Sequence, residues 1–216
     1  ILSSLLKEKN HILHSLGNNY LDSYSKKKIQ KYKKLLNFKV IGMGGSTLGI
    51  QTIYSFLKSK IKKKFLFIDN LSHDQNKIYE KNTNLIVSKS GNTIETIVNS
   101  NINIKKKDKN IFITENKKNY LYNLAEKLKS EIIHHNNFIG GRYSVLSEVG
   151  MLPAELMGLK SQNFRQLNNL VKNKYFINAL IINVDAIINL TKSKKCNSII
   201  INYDEQSSNL FYWYQQ

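Results

Sequence analysis

Short apolar runs rich in β-branched and aromatic residues alternate along this chain with segments whose apolar residues recur at helical spacing, and that alternation limits the fold most. Phe38 to Ile41, Phe65 to Ile68, Leu85 to Val87, Ile111 to Ile113 and Ser198 to Ile201 are short and largely apolar, as strands covered on both faces require. Between them, Ile50, Ile53, Tyr54 and Leu57 form one stripe, Leu121, Leu124, Ala125 and Leu128 a second, and Ile177, Leu180, Ile181, Val184 and Ile188 a third. The alternation predicts an α/β fold, a doubly wound, mostly parallel five-stranded sheet with all three stripes in its core. Glu131-Ile132-Ile133 reads as a further weak strand, and residues 144–160 as a helix kinked or restarted near Pro153. Residues 1–36 read as a helical leader, 37–203 as the sheet domain and 204–216 as the start of a further segment.

Chemistry concentrates where predicted strands end. Gly42-Met43-Gly44-Gly45-Ser46 follows Val40-Ile41, and Ser88-Lys89-Ser90-Gly91-Asn92-Thr93 follows Leu85-Ile86-Val87. Backbone N–H groups at such strand-to-helix turns point outward and attract anions. The first turn is not a dinucleotide fingerprint, because Thr47 stands where the third glycine belongs, and it is not a P-loop, because no Lys follows Gly45. It offers Ser46 near a helix N-cap, and a sharp turn with a capping serine explains it equally well. The second turn places three hydroxyls, Ser88, Ser90 and Thr93, ahead of a helix, enough with the free helix amides to satisfy a phosphate. Lys89 pairs with that phosphate or, on the opposite face of the strand, with solvent. A third segment, Gly140-Gly141-Arg142-Tyr143-Ser144, lets backbone approach a ligand closely and aims one of the few arginines in a lysine-rich chain.

The formal charge of +18 and pI near 9.8 raise nucleic-acid binding, but the lysine runs at 26–28, 62–64, 105–107 and 117–118 are scattered between apolar segments. They read as solvated surface, so no nucleic-acid partner is expected. Cys196 stands alone, which excludes an intramolecular disulfide and leaves a cytosolic home as the default. The apolar stretch from Ala179 to Leu190 is too short to span a bilayer, and the opening residues lack the order of a signal peptide, so no membrane association is expected. His11 and His14 share a helical face without further ligands, His73 is isolated and His134-His135 are adjacent, so no metal is expected. No nucleophile elbow or Cys/His pair supports covalent catalysis.

In order and spacing, Gly42 to Gly49, Ser88 to Thr96, and Gly140 to Ser147 followed by Gly150 resemble the glucose-6-phosphate isomerase (phosphoglucose isomerase) family, which carries a sugar-isomerase domain. Gly-Gly-Arg-Tyr-Ser is the most specific element. Ser-Gly-Asn-Thr is also similar to the broader sugar-isomerase class and to bifunctional phosphoglucose/phosphomannose isomerases, since the usual isomerase has another residue at Gly91. The resemblance implies that Gly45, Ser46, Ser88, Lys89, Ser90, Thr93 and Gln216 surround a hexose 6-phosphate and that Arg142 is catalytic, stabilising an enediol oxygen. It implies no cofactor, and a homodimer for the full-length protein. The resemblance also places the family's proton-transferring glutamate just after Gln216 and its ring-opening histidine and a lysine later still. The chain is therefore expected to be an amino-terminal portion, inactive alone. The competing function is a sugar-phosphate-binding module without chemistry.

Overall fold

Alternating residues of each strand feed two apolar layers, which is why this sequence makes a sheet covered on both sides. The computed structural model describes residues 8, 10–71, 82–105 and 107–216, so His73 lies outside the described residues. The elements in chain order are α1 (His11–Ser15), α2 (Lys26–Lys33), β1 (Asn37–Gly42), α3 (Leu48–Phe56), β2 (Lys64–Ile68), β3 (Thr83–Val87), α4 (Ile94–Asn103), β4 (Lys109–Thr114), α5 (Tyr120–Lys127), β5 (Glu131–His134), α6 (Glu148–Leu156), α7 (Leu167–Leu170), α8 (Lys174–Lys192) and α9 (Ser208–Gln215). Five strands pair in parallel in the order β2-β1-β3-β4-β5. Phe38, Val40, Leu85, Val87, Ile111 and Ile113 pack on one face with Ile29 of α2, Ile50 and Ile53 of α3, and Val149 to Leu156 of α6. Ile41, Ile86 and Phe112 pack on the other, under Ile97 of α4 and Leu121 and Ala125 of α5.

The fifth strand is β5, the segment that reads as weak in sequence, and residues 198–201 are not a strand. A short apolar run specifies extended backbone but not a neighbour to pair with. Helix α5 ends in a Schellman turn, with Lys129 left-handed (φ 49°) and the Ser130 N–H bonded to the Ala125 carbonyl, which delivers the chain directly beside β4. Ile199 and Ile201 are instead 87% and 71% exposed. The third stripe is corrected in the same way. Helix α8 buries none of its residues, and Leu180, Ile181, Val184 and Ile188 are exposed. Amphipathic spacing calls for a cover without saying which residues supply it.

The helix expected over 144–160 divides. A 3-10 segment spans Gly141–Leu146, Ser147 caps α6 through the Val149 N–H, and Pro153 lies inside that nine-residue helix. The leader carries α1 and α2, and α2 is tied to α6 by Lys33, whose ammonium lies 2.9 Å from the buried Glu155 carboxylate. Burial alone would push the Glu155 carboxyl up. Hydrogen bonds from Lys33 and Ser161 and the charges of Lys33 and Lys26 outweigh it, and hold the group below the usual carboxylate range.

Candidate functional site

From β1 the chain crosses through α3 to β2 on one side, and from β3 it crosses through α4 to β4 on the other. The loops after β1 and β3 therefore diverge and leave a crevice at the carboxyl ends of two adjacent parallel strands, where open α/β sheets accept ligands. Gly42 and Val87 pair across those ends, and a Cβ on Gly42 would lie 2.7 Å from the Val87 carbonyl oxygen. Both hydroxyl and glycine turns open there.

In the first turn, Gly44–Ser46 forms one 3-10 turn with Gly44 left-handed (φ 53°). Thr47, rather than Ser46, is the N-cap of α3, and it makes no side-chain cap, its hydroxyl donating to the Gly44 carbonyl. Ser46 makes no side-chain hydrogen bond among the described residues. A Cβ on Gly45 would lie 2.6 Å from both the Arg142 nitrogen and the Gly141 carbonyl carbon. The first and third segments thus meet backbone to backbone, and a methyl group at residue 45 would separate them.

The second turn is organised from within. The Ser88 hydroxyl lies 3.1 Å from that of Thr93 and accepts the Gly91 N–H at 3.2 Å. Ser90 is exposed and accepts the Asn92 N–H at 3.3 Å. Gly91 is left-handed (φ 65°), and the space beside it is filled by the Asn119 side chain, which caps α5 by accepting the Tyr122 N–H. Thr93 is the N-cap of α4 and makes no side-chain cap there. The helices that start at the crevice, α3 and α4, thus begin with no side-chain cap, whereas the next two, α5 and α6, are capped by Asn119 and Ser147.

Lys89 faces elsewhere. Its ammonium donates to the Asn137 carbonyl at 2.7 Å and lies 3.6 Å from the Glu115 carboxylate, on the side of the strand opposite Ser88. Arg142 has an exposed side chain without an ion pair among the described residues, while its carbonyl accepts the Trp213 indole N–H at 2.8 Å. That bond brings α9 over the site. The Gln216 amide lies 3.5 Å from the position of a Cβ on Gly44, and Arg142, Tyr143, Trp213, Tyr214 and Gln216 line a cleft of about 710 Å³. The first turn therefore meets the Arg142 segment at Gly45 and Gln216 at Gly44, with Ser46 next in the same turn, and Ser88, Ser90 and Thr93 stand at the adjoining strand end. His11 and His14 are used in ring packing, His11 stacked on Phe138 at 4.5 Å and His14 edge-on to Tyr20.

Asn119, Trp213 and Val145 escape sequence reasoning because their roles are long-range backing. Val145 fills the space beside Gly49, 2.6 Å from where its Cβ would stand, and its carbonyl oxygen takes up the corresponding space on Gly150. Repeated glycines at 42, 45, 49, 91 and 150 are the available signal, since each marks a close approach by something that periodicity does not name.

The model of the phosphoglucose isomerase family matches residues 20–216. Glucose-6-phosphate isomerase of Methanocaldococcus jannaschii is 32% identical over 210 residues, covering 87% of this chain and 51% of the relative. That of Borreliella afzelii is 32% identical, covering 85% and 40%. The chain thus spans about half the length of the curated relatives it matches. Among solved structures, a hypothetical protein of Thermus thermophilus superposes with a TM-score of 0.60 at 20% identity over 74% of this chain and 43% of that one. A putative phosphosugar isomerase of Bacillus subtilis gives 0.59 at 15% identity over 94% and 63%. With glycine turns at the β1/β3 crevice, an Arg142 backbone seated on Gly45 and a family model covering nearly the whole length, the chain belongs to the phosphoglucose isomerase family.

Proposed function

We propose that this chain forms the sugar-phosphate-binding and oxyanion-stabilising part of an aldose-ketose isomerase that interconverts glucose 6-phosphate and fructose 6-phosphate. The observation that carries the reading is the seating of the Gly141-Arg142 peptide on Gly45, which joins the Arg142 segment to an uncapped, anion-attracting turn. In this reading the phosphate lies across the starts of α3 and α4. There Gly45 offers its backbone N–H, Ser46, whose own N–H is taken by the Met43 carbonyl, offers a free hydroxyl, and Ser88, Ser90 and Thr93 offer theirs. The helix dipoles add about 0.3–1 kcal/mol each for a surface anion. Lys89, held by Glu115 and Asn137, contributes charge from behind the turn. Gln216, against Gly44, bounds the sugar.

The phosphate end fixes the sugar, so that its C1 and C2 come to the exposed guanidinium of Arg142. Moving a proton from C2 to C1 through an enediol builds negative charge on a carbonyl oxygen. A guanidinium carries five donors and no acceptor, so Arg142 is no base. Its part is electrostatic, and such a donor in a preorganised site is worth about 3–4 kcal/mol. The net charge of +18 favours capture of a dianionic substrate. By family likeness, the whole protein works in the cytoplasm as a homodimer. No described helix is long and apolar enough to cross a membrane.

Titration calorimetry with fructose 6-phosphate tests the pocket. Replacing both Ser88 and Thr93 with Ala is expected to lower affinity at least about tenfold, the loss of one or two hydrogen bonds to a charged group. Thr93→Ser, which keeps the hydroxyl, is expected to stay near the parent. Unchanged affinity in the double variant removes the assignment.

A further inference from the structure

Glu148 opens α6 and is only 1% exposed, although an acidic residue at the first position of a helix ordinarily points into water. Taking a carboxylate out of water costs several kcal/mol unless well-aimed donors replace the lost hydration. Here both oxygens are occupied, and neither donor belongs to α6. Oε1 accepts the Asn136 backbone N–H at 2.6 Å, and Oε2 accepts the Tyr20 hydroxyl at 2.9 Å. Asn136 begins the loop that leads from β5 to Gly140-Gly141-Arg142. Its side chain accepts the Phe138 N–H at 2.9 Å, and its carbonyl accepts the N–H of Ile139, whose side chain is fully buried.

The far end of the same segment is held from the same place. Arg165, also buried, donates to the Leu146 carbonyl at 2.9 Å, where the 3-10 turn of Gly141–Leu146 ends, and pairs through two nitrogens with Asp22 at 3.0 and 2.5 Å. It also donates to the Tyr20 carbonyl, and its guanidinium stands 4.8 Å from the Tyr20 ring centre. Tyr20 and Asp22 of the leader therefore tie down both ends of the Arg142 segment, through Glu148 at its start and Arg165 at its finish. Gly45 bounds it from the sheet side.

We propose that Glu148 is a positioning residue for Arg142: with Tyr20 it clamps the Asn136–Gly140 loop so that the guanidinium meets the sugar end of a phosphate-anchored hexose. The clamp itself is read from contacts alone, and its consequence for the sugar rests on the function proposed above. An arginine misplaced by an ångström forfeits transition-state and sugar contacts while the phosphate stays bound at the two hydroxyl turns.

The experiment uses the 216-residue chain and three variants, Glu148→Ala, Glu148→Gln and Tyr20→Phe. It measures affinity for fructose 6-phosphate and for inorganic phosphate, and records the indole N–H resonance of Trp213, the only tryptophan, which bonds to the Arg142 carbonyl. Glu148→Ala is expected to shift that resonance and to weaken fructose 6-phosphate at least about tenfold while leaving inorganic phosphate within about twofold. Glu148→Gln keeps an oxygen for Asn136 and is expected to recover most of the loss. Tyr20→Phe is expected to shift the ratio in the same sense by a smaller factor. If Glu148→Ala does not fold, Tyr20→Phe decides the matter by the same ratio. Equal loss of both ligands, or an unmoved ratio, overturns the proposal. A parent chain that binds neither ligand defeats the functional reading instead. The indole resonance then judges the clamp, and an unmoved resonance overturns it.

Discussion

Glu148 and Glu155 occupy the two ends of one helix, both are buried, and each is reached by a tyrosine of the leader, Tyr20 and Tyr24. Their surroundings differ in one respect. Glu155 is satisfied by charge, with Lys33 at 2.9 Å and Lys26 at 3.7 Å, and by the Ser161 hydroxyl at 3.0 Å. Glu148 is satisfied by a backbone N–H and a phenol. The first arrangement fastens the leader to the core. The second places a loop. One helix thus separates a stabilising carboxylate from a positioning one, and the leader serves both.

The largest effect that tests this contrast belongs to Glu155. Replacing it with Ala leaves Lys33, Ser161 and the Tyr24 hydroxyl without their acceptor, and removal of one partner of a buried pair costs about 3–5 kcal/mol. Lys33 can turn partly to water, since its side chain is 30% exposed, so a loss of about 3 kcal/mol is expected. For a chain of this size that is about 6–12 °C in thermal midpoint by calorimetry. Below the transition, affinity for fructose 6-phosphate is expected to stay within about twofold of the parent, the reverse of the Glu148→Ala pattern. A Glu155→Ala chain with parental stability but weakened ligand would erase the distinction.

Trp213→Phe comes next. The ring still packs against the core, but the indole N–H no longer meets the Arg142 carbonyl. The loss of one such bond is worth about 1 kcal/mol, and is expected as about a fivefold weakening of fructose 6-phosphate with inorganic phosphate unchanged. Parental affinity would leave the support of the arginine to Glu148, Arg165 and Gly45.

How much of this is legible in the sequence follows one physical line. Strands β1 to β4 and the stripes of α3 and α5 can be read because a chain's own periodicity announces which faces must be buried. The stripe of α8 reads as core by the same rule, and there the rule stops, for it demands a cover without naming one. Residues 198–201 read as the strand that residues 131–134 supply, because pairing is decided by the sheet edge the connection reaches. Within the site, hydroxyls and glycines mark the crevice, but contacts across the sequence stay hidden. Tyr20 and Glu148 are separated by 128 positions and Trp213 and Arg142 by 71, distances that no local pattern encodes. Glu148 falls inside the helix expected over residues 144–160, so nothing in its neighbourhood betrays a clamp.

The smallest effect concerns acid. His135 directly precedes the clamped loop, fully buried, with Nδ1 3.0 Å from the Asn136 carbonyl oxygen and Nε2 without a hydrogen-bond partner among the described residues. Burial pushes its pKa below 6.5, against the opposing pull of the Asn136 carbonyl and the Glu148 carboxylate. The folded chain therefore resists a proton that the unfolded chain accepts. Above pH 6.5 both states are neutral at His135 and its contribution is complete. As pH falls below 6.5 stability declines, and the decline ends only at the lower folded pKa. Glu155 follows the same sign in a lower window, its contribution present above 4.5 and lost as pH falls through its own depressed value. Thermal midpoints between about pH 7.5 and 5 should thus slope downward in the parent, and His135→Phe should flatten that slope while the steeper fall below about pH 4.5 remains. A single proton limits the slope to about 1.4 kcal/mol per pH unit. If His135→Phe keeps the parental slope above about pH 5, the neutral imidazole is not the titrating group and the two windows belong to carboxylates alone.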